Sequence, residues 1–132
     1  VRSVELTSGE ALELLGGVAW GRVVFSERAL PAVRPVNHIL DDGHIIIRAH
    51  SGAAILGPAG AGTVVAYEAD RIDDADNTGW SVIVTGTATL VRDAEELARS
   101  LLYPWIIDAG MEDVARIGTD IVTGHRLVRG PR

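Results

Sequence analysis

The sequence predicts a mainly β domain whose strands close into a small antiparallel barrel with short flanking helices. Three observations predict it. Short runs of alternating apolar and polar residues recur along the chain, as half-buried strands require. Tight turns and glycine-marked bends join them, which favours antiparallel neighbours and closure. Strands and long amphipathic helices do not alternate, as a doubly wound parallel sheet would need. The 132 residues suffice for one domain with a real core, and residues 1–132 are read as that single domain.

The elements follow in order. Thr7-Ser8-Gly9-Glu10 has capping-box spacing, with Thr7 as N-cap and Glu10 reaching back. A short helix should follow through Leu15, show Leu12, Leu14 and Leu15 for packing, and stop at Gly16-Gly17. Residues 20–25 read as the first strand, and Ser26-Glu27-Arg28-Ala29 as its turn. Residues 30–40 form the second strand; Pro35 has no N–H to donate, so it implies an edge or a bulge. Asp41-Asp42-Gly43 is a tight hairpin signal leading into a third strand at His44. The glycine-rich run 57–62 lacks the Gly-Lys-Ser/Thr of a phosphate loop and precedes a strand, 63–69, so it is a loop. Residues 71–78 are an acidic connection. The longest strand spans 80–91, with Trp80, Val82, Val84, Ala88 and Leu90 on one face and Ser81, Ile83, Thr85, Thr87 and Thr89 on the other. Gly86 lies mid-strand, where a barrel wall bends or bulges. Asp93 should cap a helix to about Leu102, with Tyr103-Pro104-Trp105 ending it. Arg116-Ile117 and residues 121–128 form the last strands, separated by a turn near Gly118.

Composition excludes several functions. The formal net charge is −6 with no basic run, which argues against nonspecific nucleic-acid binding. There is no cysteine, hence no disulfide and no thiolate metal site, which suits the cytoplasm. No apolar run reaches the roughly 20 residues of a membrane span, and the N-terminus lacks a signal-peptide pattern. Of the four histidines, His44 and His50 share a strand face but lie roughly 20 Å apart along an extended chain, too far to chelate one ion. No nucleophile-elbow context surrounds Ser81.

The most informative stretch is residues 44–57, HIIIRAHSGAAILG. Ile45, Ile47 and Ala49 fall on one strand face, and His44, Ile46, Arg48 and His50 on the other. Ser51 can N-cap a short helix that Gly57-Pro58 stops. An arginine at a strand end beside a helix N-terminus is an anion seat: free N–H groups and the helix dipole favour a phosphate, and Arg48 adds a forked donor.

Seven phrases in order, from Trp20 to Leu127, make the chain resemble the pyridoxamine-phosphate-oxidase-like flavin-binding proteins. They are Gly21-Arg22-Val23; Pro35-Val36-Asn37; Ile46-Ile47-Arg48 followed by Gly52; Val65-Ala66-Tyr67-Glu68-Ala69-Asp70; the run GWSVIVTG at 79–86; Pro104-Trp105; and Val122-Thr123-Gly124-His125-Arg126. The GWSV and Thr-Gly-x-Arg phrases point to a small actinobacterial-type branch, which also resembles the nitroimidazole-resistance reductases in layout. The resemblance implies a six-stranded antiparallel split β-barrel, the FMN-binding split barrel, working as a homodimer with two FMN molecules at the subunit interface. It implies a phosphate seat at Arg48, Ala49, His50 and Ser51, and approach of Pro35, Val36 and Asn37 to the isoalloxazine or ribityl chain. Trp80 and Ser81 would come from the longest strand and Trp105 from the partner, although Trp80 and Trp105 are more often core or interface anchors.

One departure matters. The family usually carries a lysine two residues after the glycine of the strand-to-helix turn, and this chain has Ala54. A charged hydrogen bond of roughly 1.5–3 kcal/mol is thereby missing, which predicts FMN affinity about ten- to a hundredfold lower. The implied activity is a flavin-dependent oxidoreductase, with FMN or a deazaflavin, on a small molecule. The other open class is a noncatalytic flavin-nucleotide-binding or ligand-carrier dimer, with cofactor weakly held or lost on purification.

Overall fold

A computed structural model describes residues 1–49, 54–56, 62–92 and 113–130. Its strands are β1 (Arg2–Glu5), β2 (Trp20–Glu27), β3 (Leu30–Asp41), β4 (His44–Ala49), β5 (Thr63–Ile72), β6 (Gly79–Leu90), β7 (Asp113–Ile117) and β8 (Ile121–Val128). A helix, α1 (Ser8–Gly16), follows β1, and a 3-10 turn, Ala54–Leu56, follows β4. All strand pairings are antiparallel.

The order β6-β5-β2-β3-β4-β7 returns to β6, so six strands close a barrel. The split falls on β6. Residues 79–85 of β6 pair with β8, whereas residues 88–90 pair with β7. Gly86 stands between the two partners, and a Cβ there would run into the carbonyl oxygen of Gly118, in the β7–β8 turn. The Gly118 N–H donates to the Thr87 carbonyl at 3.1 Å and locks this crossing. The mid-strand glycine is thus the place where the wall divides.

Local chemistry accounts for the other elements. Thr7 and Glu10 exchange both capping-box bonds, at 3.2 and 2.8 Å, satisfying donors that a helix start leaves open. Ala11 and Leu15 of α1 are buried against the barrel. The β3–β4 hairpin turns through Asp42 and Gly43, both at positive φ, a primed turn that matches strand twist. The β2–β3 turn is tighter than the sequence suggested: Arg28 and Ala29 alone make it, at φ 54° and 63°, and Ser26 and Glu27 belong to β2. In β3, residues 30–37 pair only with β2, and pairing with β4 begins at His38, so Pro35 lies on an open edge. The sequence reading missed β1, which alternates over only four residues and is defined by its partner β8. The helix expected after Asp93 lies outside the described residues.

The barrel interior is a packed core of Val23, Phe25, Ile45, Ile47, Val65, Val82, Val84 and Ile117, among others. A second small cluster, Ile46, Val91 and Val114 with Ile39, sits outside the wall at β4 and β7. Ile46, on the same strand face as Arg48, is only 1% exposed because this cluster covers it.

Candidate functional site

Inside the barrel the described residues offer one buried polar pair. His38 donates from Nε2 to the Leu15 carbonyl at 2.8 Å, because a carbonyl can only accept. Its Nδ1 therefore accepts the Tyr67 O–H, at 2.5 Å, and the rings meet edge to face with centroids 5.1 Å apart. Burial holds the His38 pKa below its usual value and pushes the Tyr67 hydroxyl well above the usual tyrosine range. Both groups are neutral, and the pair ties the C-terminal turn of α1 to the core. A Cβ on Gly21 would come within 2.5 Å of the Tyr67 ring, so the glycine opens the space that the ring fills.

Chemistry with access to solvent is on the outer surface. Strand pairing sets Asn37 beside Trp20, Asp70 beside Ser81, and Ser81 beside His125. One further step in the β3–β4 register brings Arg48 level with Asn37, and two further steps between β2 and β5 bring Trp20 level with Asp70. The outward side chains Arg48, Asn37, Trp20, Asp70 and Ser81 thus form one row across five strands, about 19 Å long at 4.8 Å per strand. Arg48 and Asn37 are half-buried, and Trp20 is 48% exposed. Asn37 donates from Nδ2 to the Ala19 carbonyl at 3.3 Å, which leaves its Oδ1 turned to other donors. Next to the row, Arg22 bridges Glu68 at 2.8 Å and Asp70 at 3.3 Å. Partial burial, followed by the neighbouring Asp70, raises the Glu68 pKa against the pull of Arg22.

The residues proposed from sequence divide accordingly. Arg48, Asn37 and Ser81 come together on the row, and Pro35 is exposed two residues along β3. Val36 and Trp80 are 5% and 7% exposed and point into the barrel core, so their side chains do not line this surface. Ala49 ends β4 and Ala54 opens the 3-10 turn. His50, Ser51 and Trp105 lie outside the described residues. The described part of the expected phosphate-binding helix is a three-residue 3-10 turn, anchored by Ile55 and Leu56 in the core. Sequence reasoning passed over Trp20 and Asp70 as site candidates. The signal available for Trp20 was its parity on β2, opposite to that of the buried Val23 and Phe25.

The row fits a flavin nucleotide in its chemistry: a cation at one end, amide and hydroxyl groups along it, and an aromatic surface between. Comparison with known proteins gives the class. The chain matches the pyridoxamine 5'-phosphate oxidase family over residues 7–120 and belongs to that family. Among its relatives, an uncharacterized protein of Mycobacterium tuberculosis is 50% identical over 135 residues, 98% of this chain and 88% of that one. A provisionally assigned pyridoxamine 5'-phosphate oxidase of Corynebacterium glutamicum superposes with a TM-score of 0.78 at 32% identity, covering 97% of this chain and all of that one. An FAD-binding protein of Mycobacterium smegmatis superposes with a TM-score of 0.76 at 28% identity, covering 96% and 98%.

Proposed function

We propose that this protein binds a flavin nucleotide on the outer row of the barrel, and that with FMN it works as an oxidoreductase on a small molecule. The observation that carries the reading is the placement of Arg48 and Asn37, from the β3–β4 hairpin, in one row with Ser81 of β6. A similar structure, from M. smegmatis, is an FAD-binding protein, which supports a flavin as the class of ligand. Arg48 would hold the phosphate, Asn37 would accept from the ribityl hydroxyls through Oδ1, and Ser81 would meet the polar edge of the ring. A bound flavin supplies hydride or electron transfer to a small acceptor. The described residues would supply binding and orientation, and Arg22, paired with Glu68 and Asp70, holds Asp70 in place toward the end of the row.

We further propose that the chain works as a homodimer. A mostly apolar band, Val33–Val24–Ala66–Thr85–Ile121, crosses the same outer face, and its ends Val33 and Ile121 are 63% and 60% exposed. A band of this kind on a wide sheet suits isologous pairing. Light scattering at micromolar concentration should give twice the chain mass, and monomer alone would refute pairing.

The absorbance spectrum of freshly purified protein, followed by FMN titration, tests the central reading. Uptake of FMN with a visible band that NAD(P)H reduces and a small acceptor reoxidises is the expected result. A stable band without turnover would favour the carrier, and a deazaflavin spectrum would replace FMN. Failure to take up any flavin would refute the reading.

A further inference from the structure

We infer that Trp20 is the platform on which the ring system of the flavin stacks. The inference rests on the flavin-binding reading above and adds a residue to it. Trp20 is the only exposed Trp, Tyr or Phe among the described residues; Phe25, Tyr67 and Trp80 are buried in the core. The other exposed large hydrophobics are aliphatic, and two of them, Val33 and Ile121, belong to the band that suits pairing. An indole at 48% exposure in a β-strand is a large apolar surface left in water, while the adjacent strand position, Gly21, carries no side chain.

Its position gives it an occupant. Trp20 lies two strands from Arg48 in the same row, about 10 Å away, with Asn37 between them and directly paired to Trp20. That is the length of a phosphorylated five-carbon chain. A flavin with its phosphate at Arg48 and its ribityl chain across Asn37 has its ring over Trp20. On the far side Asp70 and Ser81, paired with each other, meet the hydrogen-bonding edge of the ring as acceptor and donor. Arg22, held at 3.3 Å from Asp70, lies at the same edge. A phosphate cation, a polar spacer, an aromatic surface and a polar edge occur in the order in which a flavin nucleotide needs them.

A stacked ring and a held phosphate predict different ligand dependence. Stacking engages the isoalloxazine that FMN, FAD and riboflavin share. The Arg48 contact engages a phosphate that riboflavin lacks. The experiment titrates all three into the wild-type protein, Trp20→Ala, Trp20→Phe and Arg48→Ala, with melting temperature and oligomeric state measured for each. Trp20→Ala should weaken all three ligands by the same factor, about tenfold or more. Trp20→Phe should recover most of that loss, and the fluorescence of bound flavin should rise as indole quenching is removed. Equal affinity of wild type and Trp20→Ala for riboflavin would overturn the platform while leaving the flavin-binding reading in place. A loss in Trp20→Ala that accompanies dissociation of a dimer, and vanishes at concentrations restoring it, would assign Trp20 to subunit pairing instead. If wild type binds none of the three, the flavin-binding reading falls, and the platform with it.

Discussion

The two sides of the barrel wall both carry polar groups, under opposite rules. Inside, His38 and Tyr67 are neutral, hydrogen-bonded to each other and to Leu15, and closed off from water. Outside, Arg22, Glu68 and Asp70 are charged and partly solvated. The inner pair is under high stakes, because a buried polar atom that loses its partner costs its full desolvation. The outer triad is screened and exchanges readily with water. The interior is therefore structural, and the outer surface is where a ligand can be exchanged.

The largest test of that contrast is Gly21→Ala. The new methyl would meet the Tyr67 ring, which is fully buried and cannot step aside. Overpacking together with a displaced Tyr67–His38 bond should cost about 2–4 kcal/mol in denaturant unfolding. A loss below about 1 kcal/mol would mean that the interior is looser than described. Tyr67→Phe keeps the ring and removes the hydroxyl, leaving His38 Nδ1 buried without its donor. About 1–3 kcal/mol should be lost.

The same pair sets a pH dependence. The folded-state pKa of His38 is depressed by burial below the ordinary histidine value of about 6.5. Above about pH 6.5 the imidazole is neutral in both states and contributes no slope. As pH falls below that value, the unfolded chain takes up a proton that the folded chain refuses, so stability declines by up to about 1.4 kcal/mol per pH unit until the folded pKa is reached. The raised pKa of Glu68 acts with the opposite sign, since the folded state then binds the proton more readily, and only where Glu68 itself titrates. Melting temperatures from pH 8 to 5 should be flat and then fall. A profile that stays flat also in Glu68→Gln, which lacks the opposing carboxyl, would contradict a buried neutral His38. The outer cluster should respond least: Arg22→Gln should change stability by less than about 1 kcal/mol, because Arg22 is 46% exposed and its pairs are screened.

Much of this fold is legible in the sequence because its signals are local. The capping box of α1, the Asp42-Gly43 turn, the alternation of β6 and the wall-dividing Gly86 each depend on residues within a few positions. The contrast between the two sides of the wall is less legible. Tyr67 and His38 are 29 residues apart, and Arg22 and Glu68 are 46 apart, so only strand register brings them together. The same holds for the site. Arg48 announces itself at a strand end beside a turn, and the phrase containing Asn37 is recognisable. The reach from Arg48 across Asn37 to Trp20 exists only once β4, β3 and β2 lie side by side. Val36 and Trp80 show the converse: proximity in a recognisable phrase does not fix which way a side chain faces, and a period of two decides it.

The central claim is that the outer row holds a flavin with its phosphate at Arg48. The most direct measurement titrates FMN and riboflavin into wild type and Arg48→Ala, with unfolding monitored in parallel. Arg48 is at the outer end of a strand, so the substitution should leave the fold intact and cost about ten- to a hundredfold in FMN affinity. Riboflavin affinity should be the same in both proteins, and raising salt should narrow the difference for FMN. Equal FMN affinity in the two proteins, or an equal loss for riboflavin, would contradict the claim and move the phosphate away from Arg48.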